Sequence, residues 1–487
     1  MIQKQKTDPV VFWHVKKCSP ARVYYSKRSD CACRLIPMSS LPIVPQHPFQ
    51  QLLWWIAQPL SYLDTWSSRY GDCFVARLGE YNNFVILSHP DAIAQLFATD
   101  PSQFEVGKAN RLLRPTLGDN SVLLLDGDRH QQQRQLLMPP FHGERMKTYG
   151  QVICETTQQV AQQWQLEQPF NTRAAMQAIS LQVILKAVFG LTDNARCQTL
   201  QALLQRLLTY TTSRLWFGLA FFPWLHRDLG AWSPWGQFLR MRQQIDDLIY
   251  AEIGDRRQQG FQGSDILSLL LAARDESGRA MTDGELRDEL MTLLIAGHET
   301  TATALTWALY WLHRYPQTKA SLQVELASLG DSPDPLAIAR LPYLNAVCSE
   351  TLRIYPVAFI AAPRVCQTPL QIGGYSFEAG TYLIPCIYLT HHREDLFPNS
   401  FEFRPERFLE RQFTASEFFP FGGSNRRCIG AAFALFEMKL VLATLLRNYS
   451  LDLVDSSPVA PVRRGVTIAP KGGVPMVKVG HFSGLSV

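Results

Sequence analysis

The sequence predicts a mainly α-helical fold with a small β-rich portion. Three observations lead there. Asp283–Arg314 holds the longest run of apolar residues at helical spacing. From Glu144 to Arg274 the pattern is again mainly helical, broken by loop signals near Gln168–Asn171, Leu191–Asn194 and Gly260–Ser264. Strand signals are confined to Asp72–Leu87, Val365–Pro385 and Asn448–Val479, with turns at pairs such as Gly373-Gly374 and Ala379-Gly380.

Taken in order, the chain opens with residues 1–37. They carry eight Lys/Arg against two Asp/Glu and read as a basic, disordered extension. Met38 is a candidate alternative start, and residues 38–487 read as a single domain. Pro42–Pro48 is a proline-punctuated segment, and Phe49–Tyr70 reads as one amphipathic helix. Asp72–Leu87 is a hairpin around Gly79–Asn83, and Asp91–Thr99 a short helix. Pro101–Asp126 is irregular, and its length marks it as functional. Gly127–Met138 is a helix that places His130 and Arg134, four apart, on one face. Leu215–Pro223 with Trp224, Trp232 and Trp235 is an aromatic region, read either as core between two helices or as a greasy lid touching a membrane surface. Leu341–Ile354 and Ala431–Asn448 complete the helices.

Composition narrows the function. Hydrophobic residues make up 46% of the 487 and charged residues 18%, as in a globular protein rather than a disordered one. The net charge of +5 resides in the first 37 residues, so the remainder is nearly neutral and nucleic-acid binding is not indicated. Ten scattered cysteines suit a reducing compartment. Cys18, Cys31 and Cys33 with His14 lack a second Cys-x-x-Cys pair, so a zinc site is not supported. No run of 18 apolar residues spans a membrane, and no secretory signal opens the chain. The expectation is a cytoplasmic protein, with peripheral contact to a membrane as the variant.

The chemistry centres on Phe421–Gly430, FGGSNRRCIG. Cys428 stands in a glycine-rich, basic turn just before the Ala431–Asn448 helix. A helix N-terminus and the flanking Arg426 and Arg427 favour a thiolate, the metal-binding form. Gly422, Gly423 and Gly430 let the backbone approach a flat ligand, and Phe421 offers an apolar cover. In the long helix, Ala296–Leu305 reads AGHETTATAL. Gly297 weakens the helix there, and Thr300 and Thr301 can bond back one turn and bend it. Glu299 is a carboxylate in an apolar stretch, costly without a role. A zinc-protease H-E-x-x-H is excluded because Ala302 stands at its second histidine. Glu350 and Arg353 can pair at i and i+3, and Arg404–Phe408 reads RPERF.

Together these stretches resemble the cytochrome P-450 family over about residues 40–480. The likeness is to its bacterial fatty-acid-hydroxylase-like members. FGGSNRRCIG is similar to the family's haem loop, F-x-x-G-x-R-x-C-x-G, with Ser424 where the family usually has glycine; Gly423 is expected to absorb the turn. AGHETT resembles the oxygen-binding groove containing Ala296 and Gly297. E-x-x-R with RPERF resembles a structural ion triad of Glu350, Arg353 and Arg407. The H-x-x-x-R of His130 and Arg134 resembles a grip on a haem propionate by two cations.

The resemblance implies a haem-thiolate monooxygenase with haem b (iron protoporphyrin IX) and Cys428 as axial ligand. It implies that His130, Arg134, Arg364 and Arg426 grip the propionates. Thr300 would hydrogen-bond bound dioxygen or a water, and Glu299 would relay protons. Electrons would come from a ferredoxin or flavodoxin with its reductase, since no G-x-G-x-x-G unit appears and few residues follow Cys428. Arg427 and Lys439 are candidates for that docking surface. The apolar segments Val357–Ala362 and Phe104–Leu117 imply a hydrophobic substrate, a long-chain fatty acid first, its carboxylate met by Arg111 or Arg114. Terpenes, alkanes or a secondary-metabolite intermediate are the alternatives. A haem-thiolate isomerase or dehydratase is disfavoured by Thr300, and a haem sensor by the lack of a signalling partner domain.

Overall fold

The computed structural model describes residues 36–481 apart from residues 80, 142, 144, 191–194, 214–215, 217–221, 223–224, 261–262, 264 and 332. Cys18, Cys31, Cys33 and His14 lie outside the described residues, as do Leu215 and Trp224.

The helix Asp283–Arg314 is the axis of the fold. Thr282 caps it in a reciprocal box with Glu285, and Asp283 and Glu285 in its first turn complement the helix dipole. Tyr315, in an extended conformation before Pro316, ends it. From Thr301 to Leu312 every residue is buried, which is why its apolar residues run round the whole helix rather than along one stripe. Thr172–Phe189, Ala431–Asn448 and Pro342–Ile354 pack against it.

Phe49–Tyr70 is two helices, Pro48–Ala57 and Pro59–Tyr70. Gln58, at φ −146° and ψ 66°, breaks the run because Pro59 excludes a helical residue before it and supplies no N–H.

Among the described residues the β portion is four small sheets. The largest orders Cys73–Leu78, Tyr81–Leu87, Tyr382–Pro385, Arg364–Cys366 and Phe104–Glu105, with Phe84 opposite Tyr382 in its one parallel pairing. This sheet brings the end of the Val357–Ala362 segment and the loop after Phe104 to one side of the central helix. Besides Phe104–Glu105, which lies in the stretch read as irregular, two strands differ from expectation. Ile36–Pro37 is a strand, parallel to Tyr375–Ser376, with the Ile36 N–H donating to Gly374 O at 3.0 Å. Pro169–Asn171, read as loop, pairs with Pro475–Val477. In both cases the pairing partner is far off in sequence, and short strands draw their stability from such partners.

The stretch after Phe104 is pinned to the first turns of the central helix. Asp288 accepts from Asn120 N at 2.9 Å, Glu289 accepts from Val122 N at 2.8 Å, and Thr292 bonds Ser121. The aromatic region divides. Trp216 is buried and stacks on Trp235, centroids 5.4 Å apart, whereas Trp232 is 76% exposed. The core reading therefore holds for Trp216 and Trp235. Among the described residues no helix is long and apolar enough to cross a membrane.

Candidate active site

The cysteine loop is closed by a hydrogen bond from Cys428 N to Phe421 O at 2.9 Å, and Gly430 begins the following helix. A Cβ at Gly423 would lie 2.3 Å from the Phe97 ring, so only glycine fits there. Gly423 itself is extended, at φ −156°, while Ser424 takes φ +61°. The turn is thus absorbed by Ser424 and not by Gly423, which explains why glycine suits position 424.

Cys428 faces a cavity of about 370 Å³ between the loop and the central helix. Ala296, Gly297, Thr300 and Thr301 line its roof, and Phe421, Arg426 and Gly430 join Cys428 on the floor. Thr300 Oγ1 donates to Ala296 O at 2.6 Å and Thr301 Oγ1 to Gly297 O at 3.0 Å, the back-bonding that bends a helix. His130 and Arg134 reach the same cavity from their helix, which spans Gly127–Leu137. Cys428 is open to the cavity but enclosed by protein, and burial raises its thiol pKa. The Gly430 N–H, Arg134 and Arg427 pull the other way without winning. Burial therefore opposes the thiolate in the polypeptide alone, and a metal ion bound to the sulfur would favour it.

The cations differ from expectation. Burial, then Arg426 and Arg134, push the His130 pKa down to about 3, so its ring is neutral and offers an N–H rather than a charge. Arg426 donates to Asp126 Oδ1 at 2.6 Å and Leu125 O at 2.7 Å. Arg364 does not line the cavity. It sits behind Gly423, donating to its carbonyl at 3.1 Å, with its guanidinium 4.9 Å from the Phe97 ring centre. Burial lowers both arginines to about 10. Arg364 Nη1 and Arg426 Nε are buried without a hydrogen-bond acceptor. Unsatisfied guanidinium nitrogens beside an apolar cleft with a cysteine at its floor fit a flat apolar macrocycle bearing carboxylates.

Glu299 is buried on the other face of the central helix. It pairs with Arg173 and accepts from Gln177 Nε2 at 2.7 Å, outside the cavity lining. Asp126 is a site residue that sequence reading missed. Its position before a helix signals an N-cap, yet its carboxylate takes Val106 N, Gly107 N and Arg426 instead. Three further expectations fail. Arg114 is exposed and paired with Asp119, and Arg111 is exposed, so neither reaches the cavity. Lys439 turns inward and donates to Ala339 O at 2.9 Å, which removes it from any docking surface. Among the described residues no cluster of His, Cys, Asp and Glu could hold a metal ion by itself.

The sequence model of the family described as Cytochrome P450 matches residues 41–475. This chain belongs to the cytochrome P450 family. Among its relatives, cytochrome P450 135B1 of Mycobacterium tuberculosis is 38% identical over 85% of this chain and 86% of its own length. Cytochrome P450 135A1 of the same species is 34% identical over 85% and 89%. Among solved structures, the cytochrome P450DA haem domain superposes with a TM-score of 0.82 at 24% identity, over 93% of this chain and all of that one. Retinoic acid-bound cyanobacterial CYP120A1 gives 0.79 at 24% identity, over 91% of this chain and all of that one. The mainly helical fold with small sheets is the P450 fold. The cofactor is haem with a cysteine thiolate ligand, and the enzyme is a monooxygenase of the oxidoreductase class. P450 enzymes use dioxygen and redox partners.

Proposed function

We propose that Cys428 is the haem ligand and that this P450 hydroxylates a long hydrophobic substrate of the fatty-acid class. Electrons would come from a ferredoxin or flavodoxin with its reductase. The observation that carries the substrate reading is the wall above the cofactor site. Val357, Ala358, Ile360, Ala361 and Ala362 line it on one side, and Val122, Leu123 and Leu293 on the other. The cations in the lining, Arg134, Arg426 and Arg427, all belong to the cysteine side. Apolar burial then supplies the affinity, and the chain rather than the carboxylate is recognised.

The haem supplies dioxygen activation. One oxygen atom enters a C–H bond and the other leaves as water, with two electrons and two protons consumed. This chain's residues orient substrate and handle protons. Thr300 Oγ1 points its rotatable proton at Ala296 O and borders the cavity, so it can swing to a polar atom there. Glu299 is one residue away and takes protons from the Arg173 side, which is 12% exposed. It reaches Thr300 by rotating off Arg173 and Gln177. Arg134 and Arg426, with the His130 N–H, hold the cofactor's carboxylates, and Arg364 supports the loop from behind Gly423.

Spectral titration of the haem Soret band tests both parts. Cys428→Ser should abolish the red-shifted band of the reduced CO complex; its survival would remove Cys428 as ligand. In the wild type, affinity should rise about fourfold per added methylene, the equivalent of about 0.8 kcal/mol, until the cavity fills. Acids and their methyl esters should bind about equally, and Arg111→Ala and Arg114→Ala should change neither. Absence of a length effect would replace the fatty-acid class by a compact terpene-like substrate.

A further inference from the structure

Among the described residues, the buried ion network of Glu350, Arg353 and Arg407 makes no hydrogen bond to the cysteine loop. Arg353 donates to Glu350, to His391 O and to Glu402 O. Arg407 donates to Glu350, Pro398 O and Glu402 O. All these acceptors lie before Phe418. Some other group must connect the network to the loop if the network holds it.

We infer that His391 is that connection, a positioning residue that couples the ion network to the thiolate loop. Its carbonyl accepts from Arg353 Nη1 at 2.8 Å, and its ring Nε2 accepts the Phe419 N–H at 3.1 Å. Two more hydrogen bonds finish the path. Phe419 O accepts from Gly422 N, and Phe421 O accepts from Cys428 N, both at 2.9 Å. The chain of contacts therefore runs from a guanidinium to the backbone of the cysteine itself. His391 is wholly buried, with its ring stacked on Phe418 at 5.0 Å and edge-on to Phe419 at 5.5 Å. A backbone N–H only donates, so Nε2 is the unprotonated nitrogen and the ring is neutral. Burial, reinforced by the Arg353 charge, keeps it so. An imidazolium would lose this acceptor, and an apolar residue would leave the Phe419 N–H buried and unpaired.

This inference rests on Cys428 as haem ligand, which the Cys428→Ser spectrum tests separately. The test uses haem-loaded protein and two substitutions that divide the ring from the acceptor. His391→Phe keeps the aromatic packing and removes the acceptor. His391→Gln loses the ring and places Oε1 near the position of Nε2. The readouts are the rate at which the reduced CO complex loses its thiolate-type Soret band in mild urea, the haem reduction potential, and far-UV circular dichroism. The Phe variant should lose the band about tenfold faster than wild type while its helical signal is intact. It should also shift the potential, and the Gln variant should recover most of both. Equal rates in wild type and the Phe variant would overturn the assignment. So would a Gln variant as impaired as Phe, because packing alone would then account for the residue. Hydrogen exchange of the Phe419 amide in wild type decides independently of any variant. Protection matching the Pro342–Ile354 helix is expected, and exchange at the rate of a surface loop would overturn the coupling.

Discussion

Glu350→Ala should cost this P450 a large part of its stability. Glu350 is fully buried and accepts four hydrogen bonds: Arg353 Nε at 2.6 Å and Nη2 at 2.8 Å, Arg404 N at 2.9 Å, and Arg407 Nε at 3.1 Å. Arg353 is 0% and Arg407 4% exposed. Its removal leaves two guanidinium groups in the interior with only the carbonyls of Pro398, His391 and Glu402 for company. Burial already lowers the Arg407 pKa, and Glu350 is what opposes that shift. Breaking a buried pair by removing one partner costs about 3–5 kcal/mol, against a usual total of about 5–15 kcal/mol. At a urea dependence of about 3 kcal/mol per molar, the midpoint falls by more than about 1 M. Haem content and urea unfolding followed by circular dichroism measure this. A Glu350→Ala protein with normal haem content and a midpoint within about 0.3 M of wild type would show that the guanidinium charges are compensated elsewhere, and the reasoning would fail.

Three more outcomes follow from single features. Ser424→Gly should leave the protein as stable or stabilise it by up to about 1 kcal/mol, because the left-handed strain at φ +61° outweighs glycine's extra unfolded-state freedom; a clear loss in thermal midpoint would mean that the serine side chain is needed. The chain should lose stability as pH falls below about 6.5, since burial holds His313 and His392 near 3 and His298 near 4 while the unfolded chain binds those protons at the ordinary value. Stability therefore rises with pH across that window, and His313→Gln should flatten the slope by up to about 1.4 kcal/mol per pH unit in urea midpoints; an unchanged slope would refute the assignment. A chain starting at Met38 should bind haem but unfold slightly earlier than one starting at Leu35, because it lacks the Ile36–Pro37 strand; identical midpoints would make that strand incidental.

The parts of this fold that could be read from sequence are those with local causes. The central helix shows because its period, cap and terminal proline are all contiguous, and the cysteine loop shows because its glycines and cysteine are ten consecutive residues. What sequence could not show depends on which groups lie around a side chain. His130 and Arg134 share a helix face as expected, but His130 is kept neutral by burial first and then by Arg426, nearly three hundred residues later. Lys439 is on a helix whose surroundings turn it inward, and Arg114 is exposed and paired with Asp119. Arg364 reads in sequence as a propionate cation, but its place behind Gly423, outside the cavity lining, depends on contacts distant in sequence. Pro59 was in plain view, and helical periodicity on both sides of it concealed the break. His391 carries no local signal at all, because both of its partners come from other elements.

The cofactor edge of the site follows a common electrostatic logic. Arg134 and Arg426 line it, Arg364 lies behind Gly423, and Asp126 is the carboxylate that meets Arg426. Arg364 is depressed by burial and then by Arg426, and Arg426 by burial and then, against Asp126, by Arg134. Two of the three also keep a buried nitrogen with no acceptor. The polypeptide by itself thus leaves this edge short of negative charge and of hydrogen-bond acceptors, which is costly in an interior. Two carboxylates on an apolar ring supply both deficits at once, without the entropy cost of ordering two acidic side chains. Where guanidiniums hold the cofactor's carboxylates as proposed, binding free energy at this edge becomes folding free energy.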